Sequence, residues 1–229
     1  MPTPAIDVVV FDVLGTLVDE PAGIRAAVQC AAPHCDEGSV KKLLARWQAH
    51  VENEQQRILR GDRPFEPSEV LDGEAAQLVA DSVGITDPGV VATLAAAGQR
   101  LPPWPDSQTG LARLAERFPL IGLSNASRTA LLGLNAHAGL RWHQALSAES
   151  AETYKPAAAV YGLALQVAAR PPERLLMVAA HAWDLRGAQA LGMRTAYIAR
   201  PVGEPPAPGD QFDLHAQDLD DLADQLDKT

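Results

Sequence analysis

The chain has 229 residues, 47% of them hydrophobic, and its 29 Asp and Glu against 19 Lys and Arg give a formal charge of -10. That length exceeds the usual single domain and falls short of two, so a core domain carrying a smaller insertion is expected. The acid excess repels polyanions and argues against nucleic acid or an acidic membrane surface as a general partner, and no apolar run approaches the roughly 20 residues that cross a bilayer.

Residues 5–12 read Ala-Ile-Asp-Val-Val-Val-Phe-Asp, a β-branched run ending in an acid. It predicts a buried parallel strand with functional groups at its carboxyl end. Gly15 and Thr16 follow as a turn. From about 20 to 100 the pattern is helical, at 26–29, 40–47 and 75–80, with no strand between. Cys30, His34 and Cys35 in this stretch fall one ligand short of a four-ligand zinc site, and the cysteines read as ordinary thiols. Leu101-Pro102-Pro103-Trp104-Pro105-Asp106 is a rigid breaker. Beyond it come a helix near 107–117, a strand at 119–124, helices near 127–138 and 157–169, a strand at 174–180, a helix at 184–191 and a strand at 194–199. This alternation predicts an α/β fold, a parallel sheet covered on both faces, interrupted by an inserted α-helical cap. The expected boundaries are 1–17 and 102–229 for the core and 18–101 for the cap. A Pro- and Gly-rich tail at 201–211 wraps the surface before a short acidic helix near 217–227. The N-terminus has neither the basic flank nor the apolar run of a signal peptide, so a cytoplasmic location is expected.

In such sheets ligands bind outside the carboxyl ends of the strands. Asp12, Ser124-Asn125 and the turn carrying His181 and Asp184 lie at three of those ends, and Lys155, one of only four lysines, precedes a helix. These four segments are expected to converge on one crevice facing the cap.

Phe-Asp-Val-Leu-Gly-Thr-Leu-Val-Asp at 11–19, Leu-Ser-Asn-Ala-Ser at 123–127, Tyr-Lys-Pro at 154–156 and Ala-Trp-Asp-Leu-Arg-Gly-Ala at 182–188 occur in one order along the chain. This order resembles the four motifs of the haloacid dehalogenase-like (HAD) hydrolase superfamily. Trp104-Pro105-Asp106 and Tyr161, six residues after the lysine, further resemble its type II 2-haloacid dehalogenase branch. The resemblance covers nearly all of the core and little of the cap. It implies a Rossmann-like core with a helical cap and Asp12 as a covalent nucleophile.

The residues support those roles chemically. A carboxylate displaces a leaving group from carbon or phosphorus to form an ester that water then cleaves, turning one hard step into two easier ones. Asp12 is the candidate. Thr16 either hydrogen-bonds that carboxylate or caps the following segment. Lys155 supplies a cation that keeps Asp12 ionised and offsets substrate charge. Ser124 and Asn125 offer a hydroxyl and an amide to a carboxylate or phosphate, or serve as turn formers. Asp184 orients or deprotonates water, shares a magnesium ion with Asp12, or caps the helix that follows.

The departures narrow the reading. The phosphatase relatives carry a second acid two residues after the nucleophile to protonate a leaving alkoxide; here that position is Leu14, and a halide leaves without a proton. Their Gly-Asp pair in the last motif aligns with Ala179 and Ala180. The dehalogenases commonly have tyrosine where Leu14 stands, and serine and asparagine where Ala179 and His181 stand. His181 is a proton carrier, a donor to a substrate carboxylate or a turn residue. The dehalogenases' cap arginine, which assists halide departure, belongs to a Trp-Arg pair, whereas this chain reads Arg46-Trp47. Arg46 is the candidate, with Arg57, Arg60 and Arg63 as alternatives. Trp47, Trp183 and Tyr161 are candidates to line the pocket.

The leading expectation is hydrolytic cleavage of a carbon-halogen bond in a small 2-haloalkanoic acid, a small anionic substrate, with no cofactor. The alternatives are a magnesium-dependent phosphatase, hydrolysis of another carbon-bound leaving group such as a strained nitrogen ring, and a binding protein that retains the fold without turnover. A helical cap also suits pairing as a homodimer.

Overall fold

The computed structural model describes residues 5–228. Six strands form one all-parallel sheet: β1 (Val8–Phe11), β2 (Leu120–Ser124), β3 (Gln144–Ser147), β4 (Leu175–Ala179), β5 (Arg194–Ile198) and β6 (Leu214–Ala216). Their order is β3-β2-β1-β4-β5-β6. Four helices, α1 (Glu20–Ala31), α2 (Glu37–Leu59), α3 (Ser68–Val83) and α4 (Pro88–Ala95), lie between β1 and β2 in the chain. The others are α5 (Ser107–Ala115), α6 (Arg128–Ala138), α7 (Ala158–Ala168), α8 (Ala182–Gln189) and α9 (Leu219–Asp227). Among the described residues no helix is long and apolar enough to cross a membrane.

The sheet is apolar on both faces because helices cover both. Along β1 the side chains alternate, as the two-residue strand period requires. Val8 and Val10 pack with Val160, Tyr161, Leu185 and Ala188 of α7 and α8. Val9 and Phe11 face Leu111, Leu131, Leu134 and Leu222 of α5, α6 and α9. β1 pairs with β2 on one side and β4 on the other, so chain direction across the sheet reverses around it. The crevice at the carboxyl ends opens at that reversal.

The inserted helices share most of their interior with the sheet domain, apart from a small cluster of Ile58 and Leu71 around Tyr154. Ile24, Val28, Leu44, Trp47, Val79 and Leu94 belong to the same buried cluster as Val13, Leu17 and Leu101. Asp19 caps α1 by accepting from Ala22 N at 3.0 Å, and Asp36 caps α2 by accepting from Ser39 N at 2.8 Å. Polar contacts fix α3 and its approach to the sheet: Ser127 N donates to the Ser68 hydroxyl at 2.8 Å, and Tyr154 donates to the Glu66 carbonyl at 2.7 Å.

The sequence pattern places most of these elements, with differences at their ends. The 5–12 run contains a strand of four residues, and the helix expected at 184–191 begins at Ala182. β3 and β6 were not expected. Both are short, and most of their residues are exposed or half-buried, so their sequences carry little of the apolar signal that marks a central strand.

Candidate active site

β1 ends at Phe11 and delivers Asp12 to the crevice, where Asp12 N donates to Val178 O of β4 at 3.0 Å. The chain then turns at Gly15, whose φ of +77° disfavours any side chain; a Cβ there would stand 2.6 Å from His181 Nε2. Thr16 donates its hydroxyl proton to Asp12 Oδ2 at 2.6 Å and accepts from Ala180 N at 3.0 Å, joining the nucleophile loop to the end of β4. Of the two roles open to Thr16, the bond to the carboxylate is the one formed.

Lys155 Nζ lies between two carboxylates, 3.0 Å from Asp12 Oδ1 and 2.7 Å from Asp184 Oδ2. All three are nearly closed to solvent, with relative exposures of 3% for Lys155, 5% for Asp12 and 0% for Asp184. Burial alone would push the lysine down, but the charges of Asp12 and Asp184 outweigh it and hold the ammonium above its ordinary value. Burial pushes the Asp184 carboxyl up, against the pull of Lys155. Tyr161 donates to Asp184 Oδ1 at 2.6 Å. Gly187 permits this approach, because a Cβ there would fall 2.4 Å from the tyrosine oxygen. Tyr161 therefore stands behind the lysine and its acids and does not line the cavity, contrary to its expected contact with substrate.

The Pro-rich breaker clamps the nucleophile loop from outside. Trp104 Nε1 donates to the Gly15 carbonyl at 3.1 Å, and the Ser107 hydroxyl to the Leu17 carbonyl at 2.7 Å. Arg200, which the sequence did not single out, donates from Nε to the Thr16 carbonyl and from Nη1 to Asp106 Oδ1, both at 2.9 Å. Asp106 Oδ2 in turn accepts from Leu219 N, so one acid ties the loop to α9.

A cavity of about 510 Å³ opens above these groups. Asp12, Asn125, Lys155 and His181 reach it from the sheet, with Leu14 and Trp183 beside them. Asn125 Oδ1 accepts from Lys155 N at 2.9 Å, leaving its amide nitrogen for a ligand. Ser124 is fully buried and accepts from Ala126 N at 3.1 Å, so it shapes the turn and does not reach the cavity. His181 Nε2 lies 3.2 Å from the Leu14 carbonyl, with its ring 5.7 Å from that of Trp183. His181, rather than Asp184, occupies the capping position of α8.

The cap supplies the opposite wall through α2. Trp47 and Gln48 line the cavity, and Val51 and Glu52 follow one turn later. Arg46 is exposed and off that wall, since one residue turns a helix by ~100°. Arg57 bonds Glu54 at 2.9 Å, Arg60 pairs with Asp62 at 3.3 Å, and Arg63 bonds both Glu54 and Glu74 at 2.7 Å. None of these arginines lines the cavity. Aligning the dehalogenases' Trp-Arg pair on Trp47 instead of on the arginine would have pointed to Gln48. Glu20, also missed, lines the cavity from the start of α1; burial pushes its carboxyl up, with His181 opposing and Asp12 reinforcing. Burial, Glu20 and Glu69 push Asp72 up to about 8.

The donor set does not suit magnesium, which takes near-octahedral oxygen ligands. The lysine ammonium occupies the space between Asp12 and Asp184, and Ala180 stands where a further acid would be needed. Among the described residues no three His, Cys, Asp or Glu side chains gather as a metal site.

Comparison with known proteins identifies the family. A family model described as a haloacid dehalogenase-like hydrolase matches residues 6–192. The (S)-2-haloacid dehalogenase H-109 of Pseudomonas putida is 30% identical, over 85% of this chain and 86% of its own length. A solved defluorinating L-2-haloacid dehalogenase superposes with a TM-score of 0.88 at 35% identity, covering 97% of this chain and 95% of that one. The L-2-haloacid dehalogenase of Xanthobacter autotrophicus with chloropropionic acid covalently bound gives a TM-score of 0.83 at 25% identity, covering 97% and 98%.

Proposed function

The chain belongs to the haloacid dehalogenase-like hydrolases, and from that premise we propose that it cleaves the carbon-halogen bond of 2-haloalkanoic acids through an ester on Asp12. The observation that carries this reading is the state of Asp12. Its carboxylate is held by Lys155 and Thr16 at the floor of a cavity, with no acid at position 14 to protonate a leaving group.

In the first step an Asp12 oxygen bonds to the halogen-bearing carbon while the carbon-halogen bond breaks and its electron pair leaves with the halide. Lys155, Asn125 and His181 hold the substrate carboxylate, and Leu14 and Trp183 shield the reacting carbon. In the second step water attacks the Asp12 carbonyl carbon and one of its protons passes to Asp184 by way of Lys155 Nζ, which bonds both acids. The acyl-oxygen bond breaks, the departing oxygen takes the water's other proton, and the 2-hydroxy acid leaves with an oxygen that began on Asp12, which is returned as a carboxylate. The reaction uses no metal or organic cofactor. Segment 18–101 acts as the cap over a core formed by 1–17 and 102–229.

Halide release from chloroacetate and 2-chloropropionate tests the activity, with Asp12→Asn as control. Absence of release by the wild type across both substrates refutes it. A single turnover in ¹⁸O-water with enzyme in excess tests the ester: label is expected on Asp12 and not in the product.

A further inference from the structure

The cavity is much larger than a short halo acid requires. At roughly 30 Å³ per non-hydrogen atom, the share of one water in the liquid, 2-chloropropionate fills about 180 Å³. That is about a third of the 510 Å³ available.

The unused space is lined by α2 in two rows with a spacing of four residues, which stack along one helix face. The inner row is Trp47, Val51 and the half-buried Gln55, and the row beside it is Gln48, Glu52 and Gln56, all three exposed. Their side chains have no hydrogen-bond or ion-pair partner among the described residues. Two acids, Glu52 and Glu20, join this cap-side wall, and among the described residues no arginine or second lysine lines the cavity. Such a wall offers acceptors to N–H and O–H groups and gives a second anionic group no cation to meet.

We infer that the preferred substrates are 2-halo acids whose remaining substituent is an extended arm ending in a hydrogen-bond donor, an amine, amide or hydroxyl, received by Gln48, Glu52 and Gln56. This rests on the proposed chemistry at Asp12 for the position of the reacting carbon. The arm runs from that carbon past Trp47 and Val51 to the mouth, so its methylenes meet these apolar side chains and its end meets the exposed polar row.

The test compares 2-chloro-6-aminohexanoate with 2-chlorohexanoate, which share chain length and differ in the terminal donor. A kcat/KM for halide release at least tenfold higher for the amine is expected, with the ratio falling toward one in Glu52→Leu and, for the 6-hydroxy analogue, in Gln48→Leu. Both positions are exposed, so the variants are expected to fold. Calorimetry on Asp12→Asn with the corresponding 2-hydroxy acids reads the same preference without turnover. Equal or better use of the alkyl acid, a ratio unchanged in both variants, or failure of either hydroxy acid to bind overturns the inference. No halide release from any substrate alongside a preserved binding preference overturns the chemistry at Asp12 and leaves the recognition of the arm standing.

Discussion

The two sides of the cavity are built on opposite terms. On the sheet side, Asp12, Lys155, Asp184, Tyr161 and Thr16 are buried and each bonds at least one of the others. On the cap side, Gln48, Glu52 and Gln56 are exposed and bond no neighbour. A buried charge is tolerable only when paired and hydrogen-bonded, so the sheet side admits few residue choices and one geometry. Polar groups in water carry no such requirement, so the cap side can change its substrate preference at little cost to the fold.

The most severe break in this contrast is at the nucleophile. Asp12→Asn is expected to lower halide release by a factor on the order of 10⁴ or more, since losing a covalent nucleophile removes the whole two-step route. Stopped assays of released halide, with circular dichroism to confirm folding, check this. Retained turnover would mean that the sheet side does not hold the reacting group.

Next in size is the cation. Lys155→Met leaves two buried carboxylates facing each other, and stability at pH 7 is expected to fall by about 3–5 kcal/mol in urea denaturation. The double variant Lys155→Met with Asp184→Asn removes one of the stranded charges and is expected to recover part of that loss. If the double variant is no more stable than the single, the interlock is not what holds these residues together.

The part of this architecture legible in the sequence follows the same division. β1 and β4 are apolar on both faces and are followed within two residues by polar ones, so their place and the positions of Asp12 and His181 could be read. Lys155 stood out because lysine is scarce and because of its Tyr-Lys-Pro setting. Arg200 and Glu20 were missed, since each acts through contacts with segments distant in the chain or across the cavity. The arginine expected at 46 failed on phase: helical residues one apart point to different faces, and only the packing of Trp47 into the core reveals which face meets the cavity.

A third prediction concerns the cap away from the cavity lining. Asp72 of α3 is half-buried, with its carboxyl pushed up to about 8 from an ordinary 3.8. The folded chain therefore holds a proton that the unfolded chain releases above about pH 4, and stability from this group declines as pH rises from 4 to 8. Asp72→Asn should flatten that decline and exceed the wild type by about 2 kcal/mol at pH 8, a value discounted for partial exposure. Parallel urea titrations at pH 5 and 8 measure it, and identical slopes for both proteins would contradict it.

The smallest expected effect separates the two regimes within a single helix. Glu52 and Glu54 of α2 are two residues apart, yet Glu54 is 5% exposed and accepts from Arg63 at 2.7 Å, Arg57 at 2.9 Å and Asn53 at 3.0 Å. Arg63 is the chief reason its carboxyl lies below the ordinary value, even against the opposing effect of burial. Glu54→Gln replaces charge-assisted bonds with neutral ones and is expected to cost about 1.5–3 kcal/mol. Glu52→Gln breaks no bond among the described residues, so its stability should stay within about 0.5 kcal/mol of wild type. Its effect is expected instead in the ratio of kcat/KM values for 2-chloro-6-aminohexanoate and 2-chlorohexanoate, because the lost charge faces the cavity mouth. A destabilised Glu52→Gln would place this residue among the structural contacts of α2 and remove the cap side's freedom to vary.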